Sequence, residues 1–369
     1  MTIGLIKEPH YETRVSLLAE AVATLTKKGI TILVESGAGE TAYCSNTDYE
    51  KAGAQIKSRT EVLESSNIIL AIHSLDTTDI SPLTSDIIII GVFQPLFNGD
   101  TMKEWASKGI TTFSLDMLPR TTRAQSMDVL SSQANIAGYK AVLLAANLYG
   151  RYFPMFMTAA GSVAPAKILI LGAGVAGLQA IATARRLGAV VEVFDTRPAV
   201  KEEVMSLGAK FVEVEGAADA SKAGGYAVVQ SEEFLQRQKE RIAESIAKAD
   251  IVITTAQIPG KKAPVLISEE MIQAMRNGSV IVDIAAATGG NTPVTKNNET
   301  IVYNGVSIVG NSNLQATLPS DASKLYGKNI LNFLQLIITK EGAINLNWDD
   351  DLVKGSCITH GGDVVNERV

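Results

Sequence analysis

The stretch KILILGAGVAGLQAIATARRLGAVVEVFD, residues 167–195, decides the fold of this chain. A run of aliphatic residues predicts a buried strand, and the glycines Gly172, Gly174 and Gly177 follow it directly. A helical pattern comes next, and a second strand ends at Asp195, 18 residues beyond Gly177. A strand, a glycine turn, a helix and an acid in this order are typical of a dinucleotide-binding βαβ unit.

Each part of this stretch has a physical role in binding a dinucleotide. Gly172 permits the tight turn, Gly174 lets the backbone approach a pyrophosphate, and Gly177 lets the helix pack on the strand. The pyrophosphate would lie at the helix N-terminus, where free N–H groups favour anions. Asp195 would accept hydrogen bonds from the adenosine ribose, and its charge favours NAD(H) over NADP(H), although Arg197 opposes this preference. The competing interpretation is a Rossmann-like core whose glycines serve no ligand.

The rest of the chain alternates strand patterns with helical ones. Strand patterns occur at residues 3–6, 31–35, 67–72, 86–93, 110–115, 167–171, 190–194, 210–214, 250–255, 279–284 and 306–310. We expect residues 110–115 to form the last strand of the first half. Apolar residues three and four apart predict a helix directly after Arg14, a long helix over 130–148 and another over 321–339.

These patterns predict an α/β protein with two doubly wound Rossmann-like domains, mostly parallel sheets and two long helices that join the domains. The predicted first α/β domain comprises residues 1–127 plus 320–369. The predicted NAD(H)-binding Rossmann domain comprises residues 128–319. The length of 369 residues agrees with two domains of ordinary size.

The composition excludes several classes of protein. The formal net charge of −6 argues against a general affinity for nucleic acid or anionic membranes. The two cysteines and three histidines show no metal-ligand spacing, so we expect no metal. The opening MTIGLIKE has a strand pattern rather than that of a signal peptide, and the charge-free stretch that contains the glycine turn, residues 168–184, has 17 residues. A membrane helix needs about 20. We therefore expect a cytoplasmic protein without direct membrane insertion.

A polar stretch, RTTRAQSMDVLSSQAN at residues 120–135, precedes the first long helix. It contains neither glycine nor proline, so it is not typical of a linker. One interpretation is a helix cap, in which Ser126 or Asp128 bonds the first turn. The other is a functional loop, and the stretch by itself favours neither.

The whole chain resembles the NAD(H)-binding component, domain I, of proton-translocating nicotinamide nucleotide transhydrogenase. The motifs that carry the resemblance are PRTTRAQSMDVLSSQ (119–133), MTAAG (157–161), LGAGVAGLQAIATARRLGA (171–189), AGGYA (223–227), TTAQIPGKKAPVLI (254–267) and KNILNFL (328–334). They cover essentially all of the chain in the order found in that family.

The resemblance implies a loop that contacts the nicotinamide, made of residues Arg120, Gln125, Ser126, Met127, Asp128 and Ser131. Asp128 and Ser131 would hydrogen-bond the carboxamide, and Arg120 would pair with Asp128. Gln125 would reach towards the second nucleotide, which a partner subunit presents. The catalytic residues implied in this way are Arg120, Gln125, Asp128 and Ser131.

The resemblance also implies the residues that bind the rest of the nucleotide: Gly172, Gly174, Val175, Ala176, Gly177, Asp195, Thr196, Arg197, Gly225, Tyr226, Gln238 and Gln257. Gly225 and Tyr226 would belong to a mobile loop, within residues 215–238, that closes over the bound nucleotide.

The implied activity is direct hydride transfer from NADH to NADP⁺. Hydride transfer between two nicotinamide rings needs no general acid or base; it needs the rings face to face at about 3–3.5 Å and shielded from water. The NADP(H) would be held on a partner subunit, and proton movement would occur in a separate transmembrane channel component. The resemblance also implies a homodimer that is peripheral to the inner membrane through its partners.

Two other functions remain as alternatives. The segment KEPHYETRV (7–15) also resembles the opening of alanine dehydrogenase, in which an arginine like Arg14 would hold a substrate carboxylate. His73 stands where that family has a lysine, GVFQPLF (91–97) lacks its catalytic histidine, and Ala287 replaces an expected acid. Ala287 also departs from acidic transhydrogenase relatives, so its role is open. The second alternative is a non-catalytic NAD(H)-binding sensor, which would not need the complete polar loop.

Overall fold

A computed structural model describes residues 1–83, 85–214, 216 and 231–369 of the chain. These residues form two compact units. The first comprises Met1–Gln133 and Ala316–Val369, and the second comprises Ala134–Gln315. The predicted α/β fold with mostly parallel sheets is confirmed.

The elements of the described residues follow in chain order. The strands are β1 Thr2–Leu5, β2 Thr31–Glu35, β3 Gln55–Lys57, β4 Ile68–Leu70, β5 Ile88–Gly91, β6 Thr111–Ser114, β7 Phe156–Thr158, β8 Gly161–Val163, β9 Lys167–Leu171, β10 Val190–Phe194, β11 Lys210–Phe211, β12 Ile251–Thr254, β13 Val280–Asp283, β14 Thr300–Tyr303, β15 Val306–Val309, β16 Cys357–His360 and β17 Asp363–Val364. The α-helices are α1 Ala19–Thr26, α2 Asn46–Lys51, α3 Arg59–Ser65, α4 Thr77–Ile80, α5 Gly99–Ser107, α6 Val129–Leu148, α7 Val175–Arg186, α8 Lys201–Ser206, α9 Glu232–Ile246, α10 Glu269–Gln273, α11 Pro319–Ile337 and α12 Asp351–Ser356. Short 3-10 helices lie at Glu40–Ala42, Leu115–Met117, Thr122–Met127, Pro198–Val200, Ala286–Thr288 and Leu314–Thr317.

The sheet of the first unit has the strand order β17-β16-β6-β5-β4-β1-β2-β3. Strands β1 to β6 are parallel, whereas β16 is antiparallel to β6, and β17 is antiparallel to β16. The prediction that residues 110–115 form the last strand of the first half is confirmed, since β6 is the last strand before α6, and β16 and β17 come from the C-terminal segment. The Thr359 hydroxyl donates to the Ile110 carbonyl oxygen at 2.7 Å, and this bond helps to fix the returning strand beside β6.

The sheet of the second unit has the order β11-β10-β9-β12-β13-β15-β14 and is parallel except for β14. Strand β9 pairs with β10 on one side and with β12 on the other, so the direction of winding reverses there. In open α/β sheets, ligands bind at such a point, outside the carboxyl ends of the strands. The glycine turn after β9 lies at this position.

One predicted helix begins later than its apolar spacing indicated. The pattern after Arg14 predicted a helix that includes Val15, but α1 begins at Ala19. The Val15 N–H donates to the Ser323 hydroxyl at 3.0 Å, and the Leu17 carbonyl accepts from the Tyr49 hydroxyl at 2.8 Å. Because side chains from other elements bond these backbone groups, the segment is buried without being helical.

The core of the first unit includes side chains from both ends of the chain. Phe113 of β6 and Phe333 of α11 are fully buried, and their ring centroids lie 5.4 Å apart. The Tyr326 hydroxyl, also on α11, donates to the Ala71 carbonyl at 3.2 Å. Among the described residues, no helix combines the length and the apolar composition that crossing a bilayer requires.

Replacing Phe333 with alanine should lower the free energy of unfolding of the first unit by about 3–5 kcal/mol, because it leaves a cavity against β6. Leu325→Ala is the matched control on the same helix, since Leu325 is 39% exposed. This control should change the free energy by less than about 0.5 kcal/mol. Chemical denaturation measures the free energy of unfolding of both variants. An equal loss in the two variants would contradict the packing of Phe333 against β6.

Candidate nucleotide-binding site

The turn after β9 is built from three glycines with different constraints. Gly172 has a φ of +104°, which favours glycine. A Cβ on Gly177 would lie 1.9 Å from the carbonyl oxygen of Gly172, so only glycine lets α7 approach the turn this closely. Gly174 precedes α7 in an extended conformation, and a Cβ there would meet no atom within 4 Å. The space beside Gly174 is therefore open to a ligand.

Helix α7 begins directly after Gly174, beside this open space. Helix α7 has 12 residues, and no acidic residue lies in its first turn. The first N–H groups of a helix have no partner within the helix and attract anions. Val175 is 39% exposed. Ala176 is buried, and its carbonyl lies 2.0 Å from where a Cβ on Gly138 of α6 would be. The helix start is thus held rigidly, which suits a pyrophosphate.

Asp195 follows β10, and its carboxylate accepts four hydrogen bonds from the residues that the structure describes. Its Oδ2 accepts from the Ala173 N–H at 2.7 Å and from Arg197 Nη2 at 2.8 Å. Its Oδ1 accepts from the Arg197 N–H at 2.8 Å and from Arg197 Nε at 2.9 Å. These bonds to Asp195 raise the pKa of the Arg197 guanidinium. The predicted ribose acceptor is therefore neutralised by Arg197, which offsets the repulsion of a 2′-phosphate expected from Asp195.

A cavity with largely apolar walls lies beside Asp195. Its lining residues are Phe194, Asp195, Thr196, Pro198, Lys201, Phe211, Glu213, Val214 and Phe234. Lys201 and Glu213 form an ion pair. Gln238 lies one helical turn after Phe234 on α9; it is buried, and its Oε1 has no hydrogen-bond partner among the residues that the structure describes. An unpaired buried acceptor is costly without a ligand donor.

The loop after β12 contains Gln257 and is held by a buried network that sequence reasoning missed. Gln257 is exposed, and its Nε2 donates to the Ile284 carbonyl at 3.2 Å. Asn291 donates to the carbonyls of Ala256 and Pro264 and accepts from the Ala256 N–H. Asp283, in turn, accepts from the Asn291 N–H at 2.7 Å. The signal for this network was an aspartate at the end of the apolar run SVIVD (279–283).

The polar stretch forms the 3-10 helix Thr122–Met127 in the first unit and then enters α6. Ala124 and Met127 are buried and anchor it. The side-chain amides of Asn329 and Asn332 on α11 both donate to the Ser126 carbonyl at 2.9 Å. The loop is thus tied at its backbone.

The polar side chains of this loop fall into two groups. Asp128 accepts from the Ser131 N–H at 2.9 Å and from the Ser131 hydroxyl at 2.6 Å, so it caps α6. Arg120 and Gln125 are exposed. The capping interpretation therefore accounts for Asp128 and Ser131 but leaves Gln125 without a role in the cap.

The first unit also contains the segment that resembles alanine dehydrogenase. Arg14 is 5% exposed, and its guanidinium forms a two-point ion pair with Glu12. It also donates to Gln133 Oε1 at 2.8 Å, and His73 Nε2 lies 2.7 Å from Glu12 Oε2. The arginine expected to hold a substrate carboxylate in that hypothesis already binds a carboxylate of this chain.

The remaining predicted positions add little to the site. Ala287 is an exposed residue of the 3-10 helix Ala286–Thr288. Gly225, Tyr226 and most of the proposed mobile loop lie outside the described residues. Across the described part of the chain, no three or more His, Cys, Asp or Glu side chains are grouped to hold a metal ion.

Comparison with known families gives two matches that together span most of the chain. Residues 4–137 match the family model "Alanine dehydrogenase/PNT, N-terminal domain", and residues 141–367 match "Alanine dehydrogenase/PNT, C-terminal domain". The second match alone covers more than half of the chain. This chain belongs to the alanine dehydrogenase/PNT family.

Within the family, the chain is similar to transhydrogenase subunits over its whole length. The first part of the NAD(P) transhydrogenase alpha subunit of Rickettsia prowazekii (strain Madrid E) is 42% identical over 369 residues, which cover 99% of this chain and 96% of that protein. A transhydrogenase crystal structure from Sinorhizobium meliloti is 44% identical, with a TM-score of 0.91, and covers 99% of this chain and all of that one. Alanine dehydrogenase of Bacillus subtilis (strain 168) is 25% identical over 378 residues, which cover 100% of this chain and 94% of that protein.

Two alanine substitutions in the glycine turn should affect different properties: one should lower stability and the other should lower the affinity for NADH. Gly177→Ala should lower the free energy of unfolding by about 3 kcal/mol, because the new methyl overlaps a backbone carbonyl. Gly174→Ala adds a methyl in open space, so its stability should change by less than about 1 kcal/mol. It should nevertheless weaken NADH binding at least tenfold, about 1.4 kcal/mol, because the methyl fills the space that the pyrophosphate needs. Thermal unfolding and NADH fluorescence titration measure the two effects. Unchanged NADH affinity in Gly174→Ala would argue against this position for the pyrophosphate.

Proposed function

We propose that this chain is the NAD(H)-binding component of a proton-translocating NAD(P) transhydrogenase. In this proposal, hydride passes directly from NADH to NADP⁺ held on a partner subunit, and protons move through a separate transmembrane component. The observation that carries the proposal is the 42% identity to a transhydrogenase alpha subunit over 99% of the chain. The chain would be cytoplasmic and peripheral to the inner membrane through its partners.

The geometry of the second unit supports binding of NAD(H). The open space at Gly174 and the start of α7 fit a pyrophosphate. We assign the adenine to the largely apolar cavity beside Asp195. The Oε1 of Gln238, which lies one helical turn from the lining residue Phe234 and has no partner among the described residues, would accept from the adenine amino group. Asp195 and Thr196 would hold the adenosine ribose, and Gln257 would lie near its approach.

The polar loop supports a role in alignment rather than in acid–base chemistry. Bound NADH supplies the hydride from C4 of its nicotinamide. Asp128 offers carboxylate acceptors to the carboxamide, and the Ser131 hydroxyl can accept a bond while it donates to Asp128. Gln125 is exposed and would address the nucleotide on the partner, while Arg120 would support Asp128. The backbone bonds to Ser126 keep this loop in position.

Three observations disfavour the alternatives. An alanine dehydrogenase would need Arg14 for the substrate carboxylate and a group to take a proton, yet Arg14 is engaged by Glu12 and GVFQPLF (91–97) contains no histidine. A sensor could bind through its adenosine contacts, and it would not need an exposed Gln125 on a loop that α11 ties in place.

We also propose that two copies of the chain associate through the hairpin formed by β7 and β8. These strands form a separate two-stranded sheet, and such a sheet is marginally stable in water by itself. Phe156 and Met157 are exposed, and the Phe156 ring stacks on exposed Tyr152 with centroids 5.0 Å apart. A second hairpin of the same sequence would pair the free strand edges and cover these side chains.

Met157→Asp should therefore convert the protein to a monomer, because it puts a charge into the proposed interface. Sedimentation at equal concentrations measures the change. Met205→Asp is the matched control, since Met205 is also exposed, at 56%, on α8. A wild-type monomer, or the same mass for all three proteins, would contradict the proposal.

Gln125→Asn should slow hydride transfer at least tenfold, about 1.4 kcal/mol of barrier, while the dissociation constant for NADH stays nearly unchanged. The substitution keeps the amide but shortens its reach, and misplacement by about 1 Å can cost about 100-fold in rate. Single-turnover mixing with a separately made NADP(H)-binding component gives the rate. Gln55→Asn makes the same chemical change at an exposed position on β3 and should transfer hydride normally. A normal rate in Gln125→Asn would leave the polar stretch as a helix cap alone.

A further inference from the structure

We infer that the Arg197 side chain is an internal competitor for the adenosine ribose, and that the nucleotide must displace it from Asp195 in order to bind. This inference rests on the proposed NAD(H) site. It adds to that proposal a residue of this chain that sets how tightly the site binds.

The observation is that Arg197 uses the acceptor positions that a ribose needs. A carboxylate offers about four lone-pair positions. Two of those on Asp195 accept backbone N–H groups, from Ala173 and Arg197, and these bonds hold the carboxylate in place. The other two positions accept hydrogen bonds from Nε and Nη2 of the Arg197 side chain, one on each carboxylate oxygen. A ribose with two neighbouring hydroxyls presents the same pair of donors.

The position of the side chain allows such an exchange. Arg197 lies at the border of the site, with 18% of its side chain exposed, whereas the Asp195 side chain is 6% exposed. The guanidinium can therefore move towards solvent while the carboxylate stays bound to the two backbone groups. After the exchange, two hydroxyl donors replace two N–H donors, and each acceptor remains satisfied.

The energetic consequence follows from comparing the free and bound states. In the free protein, Asp195 is stabilised by a two-point ion pair of limited exposure, which is stronger than an ordinary surface pair. In the bound protein, this pair is broken. A variant without the guanidinium loses the ion pair that stabilises the free protein. It loses nothing in the bound protein, where this pair is already broken. Its unliganded form should therefore be less stable, and its affinity for a ribose-containing nucleotide should be higher.

The experiment compares the wild-type protein with Arg197→Ala by titration calorimetry, using NADH, ADP and 2′,3′-dideoxyadenosine diphosphate. Arg197→Ala should bind NADH and ADP at least fivefold more tightly, and it should bind the dideoxy nucleotide with wild-type affinity. The unliganded variant should melt about 3 °C lower, and saturating NADH should reduce this difference. A residue with a purely structural role would leave the difference the same with and without NADH.

Two further variants control for charge and for folding. Arg276→Ala removes an arginine that pairs with Asp250, which directly precedes β12 and so lies at the amino ends of the strands, away from the site at their carboxyl ends. It should not change the affinity for NADH. Arg197→Lys keeps the charge but cannot span both carboxylate oxygens, so its affinity should lie between those of the wild type and Arg197→Ala.

The outcomes separate this inference from the proposed function. If the wild type binds NADH and Arg197→Ala binds it equally or more weakly, Arg197 does not compete with the ribose, but the proposed NAD(H) site is retained. Equal tightening for ADP and its dideoxy form would also overturn it, because the gain would not depend on the hydroxyls. If neither the wild type nor the Arg276→Ala control binds NADH, both the competition by Arg197 and the proposed NAD(H) site are overturned.

Discussion

The contact between the backbone of Gly172 and the start of α7 at Gly177 is the constraint on which the second unit depends. It brings a helix start against the end of β9, where the sheet changes its direction of winding. The same approach leaves open space at Gly174, beside the start of α7, where the first N–H groups have no partner within the helix. One close packing contact thus sets both the fold of the βαβ unit and the position that we propose for the pyrophosphate.

Much of this fold could be predicted from the sequence, because the strands of buried parallel sheets are continuous aliphatic runs. KILIL and VVEVF became β9 and β10 with the predicted bounds, and the long helix predicted over residues 130–148 became α6. The failures have a common cause. Val15 is apolar at helical spacing, yet Ser323, more than 300 residues away, bonds its N–H. Strand β16, which no strand pattern predicted, pairs with β6 although Cys357 and its partner Phe113 are 244 residues apart in the sequence. Local patterns carry no information about such partners.

In the candidate site, too, the sequence predicted the position of the residues but not the contacts of their side chains. The spacing of Gly172, Gly174, Gly177 and Asp195 indicated a nucleotide site, and the open turn agrees with it. The pairing of Asp195 with Arg197 could not be predicted, since either side chain could have faced solvent. In the polar stretch, Asp128 combines the cap that local chemistry predicts with the position that the family resemblance implies for the nicotinamide. A helix cap and a ligand contact need the same short polar side chain, so the sequence does not separate them.

The return of α11 and β16 to the first unit has a consequence for biosynthesis. A nascent chain emerges from its N-terminus, but residues 1–133 alone leave β6 as an open sheet edge and the Phe113 side chain without Phe333. The second unit, Ala134–Gln315, is continuous and is complete when its last residue emerges. The segment translated later is therefore the first that can finish folding, and the N-terminal segment must wait, with an unpaired edge, until α11 and β16 have been made. The interval between these two events is the time during which this protein is most exposed to aggregation and to chaperones.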